Sequence, residues 1–180
     1  MFRAISTEYS AQITFDFIHH HEVIRDRNVT YATYILNYKQ TKDEKHIVCI
    51  TVGGDCLTYP YDAGSPTYNL IETKVLLNIT ISDAKHGALF MLAVIKDYFL
   101  ATPMSRAEFI KVHSRHIPED IMCKYNFHNK VTLDGYVCIL IKKGMYDLKQ
   151  AAILAYGHIK TILAPHGYTP VIGTFGLWKK

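Results

Sequence analysis

Cysteine is scarce in this chain, and its spacing argues against the common cysteine-based sites. The 180 residues contain four cysteines and no CxxC pair: Cys49, Cys56, Cys123 and Cys138. A zinc site is not expected, because no close pairs of ligands recur along the sequence. We therefore predict free and mostly buried thiols in a reducing, intracellular compartment, either the cytoplasm or the nucleus.

Long apolar runs are also missing. The longest, from Gly87 to Ile95, is far too short to cross a bilayer. The N-terminal sequence MFRAISTEYSAQITF lacks the order of a secretory signal, in which basic residues precede an apolar stretch. No internal repeat, low-complexity tract or linker interrupts the chain. These absences predict one domain, residues 1–180, with no membrane association.

The sequence does contain enough apolar material for a folded core. Hydrophobic residues make up 49% and charged residues 20% of the chain, as in ordinary globular proteins. This composition excludes disorder of the whole chain. The net charge of +4 is a mild basic bias, which suits a phosphate-rich partner and equally suits a protein with no acidic partner.

Strand and helix patterns occur in mixed order, which predicts an α+β fold. Strands are predicted from alternating or β-branched runs at 11–19, 29–38, 46–52, 89–96, 109–113 and 136–141. The strands at 29–38 and 46–52 are expected to form a hairpin. Helices are predicted from Thr67, as N-cap, to about Ser82, from Ile117 onwards, and from Tyr146 or Asp147 to Ala164.

The run LFMLAVIKDYFLATPM, from Leu89 to Met104, combines an apolar segment with polar residues at its end. It stays apolar up to Ile95 and then carries Lys96 and Asp97. This pattern predicts a buried central strand that delivers polar side chains to its end.

Together with this run, two further segments resemble the reverse transcriptase of a copia-type retrotransposon polyprotein. They are ITVGGDCLTYPYDAGSPTYNLIETKVLLN (50–78) and KKGMYDLKQAAILAYGHIKTILAPHGYTP (142–170). The three segments have the order and spacing of that family, and a weaker likeness extends from about Val23 to Trp178. The resemblance implies a fingers-like part at about 23–85 and a partial palm at about 86–178.

The family's activity is RNA-directed DNA synthesis, in which two Mg²⁺ ions held by carboxylates activate the primer hydroxyl. The resemblance places the first carboxylate at Val94, and a valine cannot bind Mg²⁺. Asp97 follows closely and is expected to face away from that site, because side chains alternate along a strand. The family's paired aspartates have no counterpart here, since the sequence contains no Asp-Asp pair.

Residues that would bind the nucleotide are partly lost and partly kept. The resemblance places the basic residues that grip the triphosphate at Ile47 and Cys49, neither of which can neutralise a phosphate. It assigns Phe99 to the aromatic under the sugar, and Lys149 and Gln150 to a motif that lines the nucleotide pocket and touches the template. Each also has a structural interpretation: a core aromatic for Phe99, and an exposed first helical turn for Lys149 and Gln150.

Asp147 stands where the family carries glycine. Its carboxylate would repel a passing phosphate backbone, whereas aspartate also suits the start of a helix. The substitution therefore fits weakened nucleic acid binding and equally fits a structural role.

The positions that would form the core are apolar, whereas the metal-binding carboxylate and the basic residues that would bind phosphate are replaced. We therefore predict no catalytic residue, no metal site and no cofactor. The first hypothesis is a retrotransposon-derived, reverse-transcriptase-like domain without polymerase activity that retains weak, non-specific affinity for RNA or DNA. The second is a domesticated protein-interaction module, for example a homodimer. A decaying gene fragment would show the same losses. The third hypothesis is an active polymerase that uses Asp97 together with another chain.

Three other groups of residues invite a functional interpretation. The run from His19 to His21 could bind a transition metal or form a surface cluster. Ser114, between His113 and His116, suggests a nucleophile with a base, although no acid is identifiable. Tyrosines beside basic residues could stack on bases or fill the core: Tyr98, Tyr125 and Tyr136.

Overall fold

A computed structural model describes residues 14–38, 40, 46–61, 63–64, 69–174 and 176–180, without the side chains of 46–48. The described strands are β1 Phe15–Ile18, β2 Val29–Tyr38, β3 His46–Val52, β4 Pro103–His113, β5 Tyr136–Lys143, β6 Thr169–Pro170 and β7 Trp178–Lys179. The described α-helices are α1 Leu70–Ser82, α2 Glu119–Lys124 and α3 Ala151–Leu163. Strands and helices mix without strict alternation, and the predicted α+β class is confirmed.

Five of the strands form one mixed sheet in the order β1-β5-β4-β2-β3. β2 and β4 are parallel, with Val29 opposite Phe109, whereas the other neighbours are antiparallel. β6 and β7 form a separate two-stranded ladder. β4 is therefore the central strand of the large sheet.

The main hydrophobic core lies on one face of this sheet. It is formed by β4, β5 and the end of β3 together with α2, the start of α3 and the turns beside them: Val52, Leu57, Ile110, Val112, Ile117, Ile121, Met122, Phe127, Val137, Ile139, Ile141, Met145, Leu148 and Ala151. A smaller cluster contains Ile18, Phe109 and Cys138. Successive residues of a strand face opposite sides, so Cys138 belongs to the second cluster while Val137 and Ile139 belong to the first.

The predicted hairpin is confirmed with the predicted bounds. β2 and β3 pair antiparallel from Ala32 opposite Val52 to Tyr38 opposite His46. Tyrosine, threonine and β-branched residues dominate both strands, and such side chains pack well on a pleated surface. The predicted strand at 11–19 is shorter in the structure, Phe15–Ile18, and its residues 11–13 lie outside the described part.

The predicted central strand at 89–96 is wrong. Residues 88–95 have no regular secondary structure and 96–101 form turns. The side chains are not buried either: Leu89 is 94% and Val94 is 95% exposed. An apolar run becomes a strand only when its backbone finds a ladder partner, and the central place in the sheet belongs to β4. The short strand predicted at 109–113 is the second half of β4, which begins at Pro103.

Two of the three predicted helices, α2 and α3, are confirmed as helices, and their bounds differ from the prediction. α2 begins at Glu119, directly after Pro118, whose fixed φ suits a helix start. α3 begins at Ala151 rather than at Tyr146 or Asp147. The reason is that Asp147 has a φ of 69°, a left-handed conformation that an α-helix cannot contain.

α1 is capped well and buried poorly. The Asn69 side-chain oxygen Oδ1 accepts from the backbone N–H of Glu72 at 2.9 Å, and the Glu72 carboxylate accepts from the Asn69 backbone N–H at 3.1 Å, which is a capping box. The predicted N-cap, Thr67, lies outside the described residues. None of the residues of α1, all of them described, is buried.

The four cysteines are free, as predicted, but they are not mostly buried. Cys138 is buried and Cys49 half-buried, whereas Cys56 and Cys123 are exposed. Their position relative to the core depends on strand pairing and helix packing, which the sequence alone does not give. Among the described helices, none has both the length and the apolar composition needed to cross a membrane.

Candidate functional site

The segment 142–170 contacts both of the other segments that carry the reverse-transcriptase resemblance: the Gly53-Gly54 turn, which follows β3, and the turn that contains Phe99. The backbone N–H of Val52 donates to the carbonyl of Tyr146 at 3.2 Å. A Cβ at Gly54 would lie 2.0 Å from the carbonyl oxygen of Asp147, so only glycine allows this approach. The ring of Phe99 packs edge-on against Tyr146, with centroids 5.3 Å apart.

The Gly53-Gly54 turn is also tied to β2 through Tyr31. The backbone N–H of Gly53 donates to the carbonyl of Tyr31 at 2.9 Å, and a Cβ on Gly53 would collide with the Tyr31 ring at 2.6 Å. The Tyr31 hydroxyl donates to the Asp55 carboxylate at 2.9 Å. This hydrogen bond lowers the pKa of Asp55 and raises the pKa of Tyr31. An anionic carboxylate therefore stands at the edge of the turn.

Phe99 lies at the edge of the main core. It is half-buried, packs against the main core and contacts Tyr146. Its carbonyl oxygen would be 2.7 Å from a Cβ on Gly144, so the two backbones approach closely at the end of β5. The structural interpretation, a core aromatic, describes this position in the structure.

Lys149 is exposed at the rim of this region and is tied to the loop after the Gly53-Gly54 turn. Its ammonium donates to the carbonyl oxygen of Leu57 at 2.7 Å across 92 residues of sequence. A lysine ammonium has three donors, so this bond leaves donors that can reach a phosphate oxygen.

Gln150 is buried, at 1% exposure, and does not form the exposed helical turn expected for it. Its side-chain amide donates to Glu108 of β4 at 3.0 Å. Arg27 and Arg106 approach the same carboxylate oxygen at 3.6 and 3.5 Å, and the Arg27 guanidinium also donates to the carbonyl of Ala107. In this conformation Gln150 holds Glu108 and is not accessible to a ligand.

Glu108 is the buried charge at the centre of this network. It is 3% exposed, and desolvation raises the pKa of its carboxyl, although the charge of Arg106 and the hydrogen bond from Gln150 oppose the rise. This network could not be predicted from a local pattern, because Glu108 and Gln150 are 42 residues apart. The one local signal was an acidic residue, Glu108, directly before the predicted strand at 109–113.

The positions that the resemblance assigns to catalytic and phosphate-binding residues carry no carboxylate and no basic side chain. Val94 is in solvent. Asp97 lies in a turn with a φ of 53°, so the prediction that it faces away on a strand had a wrong premise. Cys49 is half-buried in β3 opposite Ile35, and the side chain of Ile47 is outside the described part.

Two of the other predicted groups form local contacts. The His113 ring accepts from the backbone N–H of Arg115 at 3.2 Å, and the Arg115 side chain contacts the His116 ring at 3.2 Å. His19 and His21 stack at 5.2 Å. Of the tyrosines, Tyr125 and Tyr136 each carry a lysine ammonium over the ring, Lys124 at 5.5 Å and Lys111 at 4.8 Å.

A further cluster was not predicted. Glu119 and Cys123 lie one turn apart on α2, and His128 follows on the 3₁₀ turn Phe127–Lys130. The pKa of the Cys123 thiol is raised by local desolvation and then by the hydrogen bond to Glu119 and the charges of Glu119 and Asp120. The i, i+4 pair on a predicted helix was a signal that could have been noticed.

Comparison with known proteins finds no relative: no family model matches the chain, and no curated protein or solved structure matches it either. The resemblance to a reverse transcriptase therefore stays a prediction.

Proposed function

We propose that this chain is a retrotransposon-derived, reverse-transcriptase-like domain that lacks polymerase activity and binds RNA or DNA weakly and without sequence preference. The observation that carries the proposal is the backbone of Asp147. The resemblance expects glycine at this position, and a φ of 69° is a conformation that favours glycine. Divergence from a family with glycine here would leave such a residue in such a conformation.

The meeting of the three resembling segments adds support. The Gly53-Gly54 turn and Phe99 are distant in sequence, and both contact the 145–150 segment in the structure. A fingers–palm scaffold would need its nucleotide-pocket segments to meet in this way. Chance likeness of three unrelated segments carries no such requirement.

The lack of a site for two metal ions among the described residues supports the loss of polymerase activity. Two-metal catalysis needs several carboxylates that converge on the ions. In the described part of the chain, the only converging group of three potential metal ligands is Glu119, Cys123 and His128, and it holds a single carboxylate. Val94 itself is apolar and exposed.

Nucleic acid binding is expected to be weak because basic and acidic side chains at the proposed site partly cancel each other's charge. Lys149 can offer its remaining donors to a phosphate, and the net charge of +4 attracts a polyanion. The carboxylates of Asp55 and Asp147 stand at the same turn and oppose that attraction.

The experiment is fluorescence anisotropy of a labelled RNA–DNA primer–template duplex over a series of KCl concentrations. We expect affinity to fall with salt, and Lys149→Ala to reduce the slope of log K against log salt by about 0.9, the contribution of one phosphate contact. Lys85→Ala removes the same charge from an exposed site outside the three segments and serves as the control. Absence of binding at low salt contradicts the proposal, and an equal effect of both variants contradicts a site at Lys149.

Primer extension in Mg²⁺ or Mn²⁺ tests the lack of polymerase activity. We expect no extension from the purified chain. Extension that disappears in Asp97→Ala would instead establish the active-polymerase hypothesis.

A second candidate function, a protein-interaction module, is favoured by one observation. Seven of the thirteen residues of α1 are apolar, none of its residues is buried, and six of the apolar side chains are exposed. The neighbouring segment 89–95 exposes apolar side chains as well. A second copy of this chain is the partner considered, since each copy would offer the same apolar helix to the other.

A further inference from the structure

We propose that Glu119, Cys123 and His128 form a binding site for a thiophilic divalent cation, with Zn²⁺ as the metal of choice. This inference does not depend on the proposed function, because none of the three residues belongs to the segments that carry the reverse-transcriptase resemblance. It rests on the convergence of one oxygen, one sulfur and one nitrogen ligand from two adjoining elements.

The ligand atoms have the mutual separations of a tetrahedral site. The His128 Nε2 lies 3.0 Å from the Glu119 Oε1, the Cys123 Sγ lies 3.6 Å from the same oxygen, and Sγ and Nε2 are 3.7 Å apart. Zn²⁺ bonds of about 2.0–2.3 Å at tetrahedral angles place such atoms roughly 3.3–3.6 Å apart. Small side-chain movements would therefore complete the site.

The backbone of α2 and of the following 3₁₀ turn fixes the positions of these three side chains. Glu119 and Cys123 are an i, i+4 pair on one face of α2. Asn126, with a φ of 52°, then reverses the chain and returns His128 towards the helix. Phe127 is 4% exposed and packs against Phe17 with the ring centroids 3.9 Å apart, so the 3₁₀ turn that carries His128 is anchored in the core.

A cysteine, a histidine and a glutamate also invite comparison with a nucleophile–base–acid triad. In such a triad the nucleophile and the acid bind different ring nitrogens, so that the base can relay a proton. Here Cys123 and Glu119 both approach the same Nε2 atom of His128. Convergence on one nitrogen is the arrangement of metal ligands rather than of a triad.

The chemistry of the donors selects the metal. Thiolate and imidazole suit borderline-soft cations such as Zn²⁺, whereas Mg²⁺ prefers oxygen ligands only. All three residues are exposed, so water has access to a fourth position. A site with three protein ligands and one open position is typical of exchangeable or reactive zinc rather than of a closed structural centre.

The test is a zinc titration of the purified, reduced chain against a chromophoric chelator. We expect the wild type to compete with the chelator for one equivalent of Zn²⁺. Cys123→Ser, His128→Ala and Glu119→Gln should each lower the affinity by at least about 10-fold, the lower end of the effect of removing even an outer-shell partner. With Co²⁺ as the probe, the wild type should show a thiolate-to-metal charge-transfer band that Cys123→Ser loses.

Two control variants keep the outcome decisive. Cys56→Ser removes another exposed thiol, and His21→Ala removes a histidine from the 19–21 run. Both should bind Zn²⁺ like the wild type, and circular dichroism should show that all five variants remain folded. Wild-type affinity in Cys123→Ser or in His128→Ala overturns the proposal. Loss of binding in His21→Ala alone overturns it as well, because it places the metal on the histidine run.

Discussion

Asp147 occupies the left-handed backbone region directly beside the Gly53-Gly54 turn, and its φ of 69° costs conformational energy that glycine would avoid. At the same turn, Tyr31 holds Asp55 as a charged carboxylate. Glu108, by contrast, is a carboxyl that burial pushes towards its neutral form. The backbone strain of Asp147 and the raised pKa of Glu108 can each be tested by a single substitution.

Asp147→Gly should stabilise the protein and strengthen nucleic acid binding. Relief of the left-handed strain outweighs the added flexibility of glycine, so we expect the free energy of unfolding to rise by up to about 1 kcal/mol. Removal of a carboxylate should also tighten the primer–template complex at low salt. Urea denaturation and anisotropy measure the two effects. A destabilised variant would show that the aspartate side chain makes a contact worth more than the strain.

Glu108→Gln should change how stability depends on pH. Because the pKa of Glu108 is raised in the fold, the native state holds a proton that the unfolded state releases, and this contribution to stability is lost as pH rises from the ordinary glutamate pKa through the folded one. The variant cannot titrate there. Relative to Glu108→Gln, the wild type should therefore lose stability as the pH rises above about 4.3, the ordinary value. Denaturation at several pH values measures the difference, and parallel pH profiles would contradict it.

Among the elements, prediction from sequence worked where a local pattern is sufficient. β2 and β3 have a continuous run of strand-forming residues, and their predicted bounds are confirmed. α3 was predicted too early because the pattern does not reveal the left-handed Asp147. The segment 89–96 has the composition of a buried strand and became an exposed irregular segment, since strand formation also requires a neighbouring edge.

A pair of glycine substitutions tests the contact between β3 and the segment before α3. Gly54→Ala places a Cβ 2.0 Å from the Asp147 carbonyl oxygen, so the two segments must separate, and we expect a loss of about 1–3 kcal/mol in the free energy of unfolding. Gly157→Ala is the matched control, because nothing lies within 4 Å of its Cβ position in α3. It should stabilise the protein by about 0.5–1 kcal/mol. Thermal or urea unfolding measures both, and equal signs would contradict the close approach at Gly54.

At the scale of the whole molecule, the described part combines a buried core against the large sheet with a helix, α1, whose apolar side chains are exposed. The main core joins β4 and β5 to α2 and the start of α3, whereas α1 buries none of its described residues. The burial of exposed apolar surface against a partner is thermodynamically favourable, because it removes that surface from water. This contrast is the basis of the second candidate function.

We expect the chain to associate with itself in a concentration-dependent way through α1. Replacing Ile71 and Ile81 by lysine, at positions 74% and 73% exposed, should shift the equilibrium to the monomer without unfolding the core. Leu133→Lys changes another exposed apolar residue and should leave association as it is. Light scattering at several concentrations is the measurement. A wild type that is monomeric at every concentration rules out this mode of interaction.

The sequence by itself determined the α+β class, the β2–β3 hairpin, the existence of α2 and α3, and the absence of paired cysteines. These features depend on local alternation, helix periodicity and spacing. Only the tertiary structure decided that β4 rather than 89–96 is the central strand, that Gln150 is buried on Glu108, and that Glu119, Cys123 and His128 converge. Such outcomes depend on which distant segments pair and pack. The energies of those contacts cannot be inferred from a local sequence pattern.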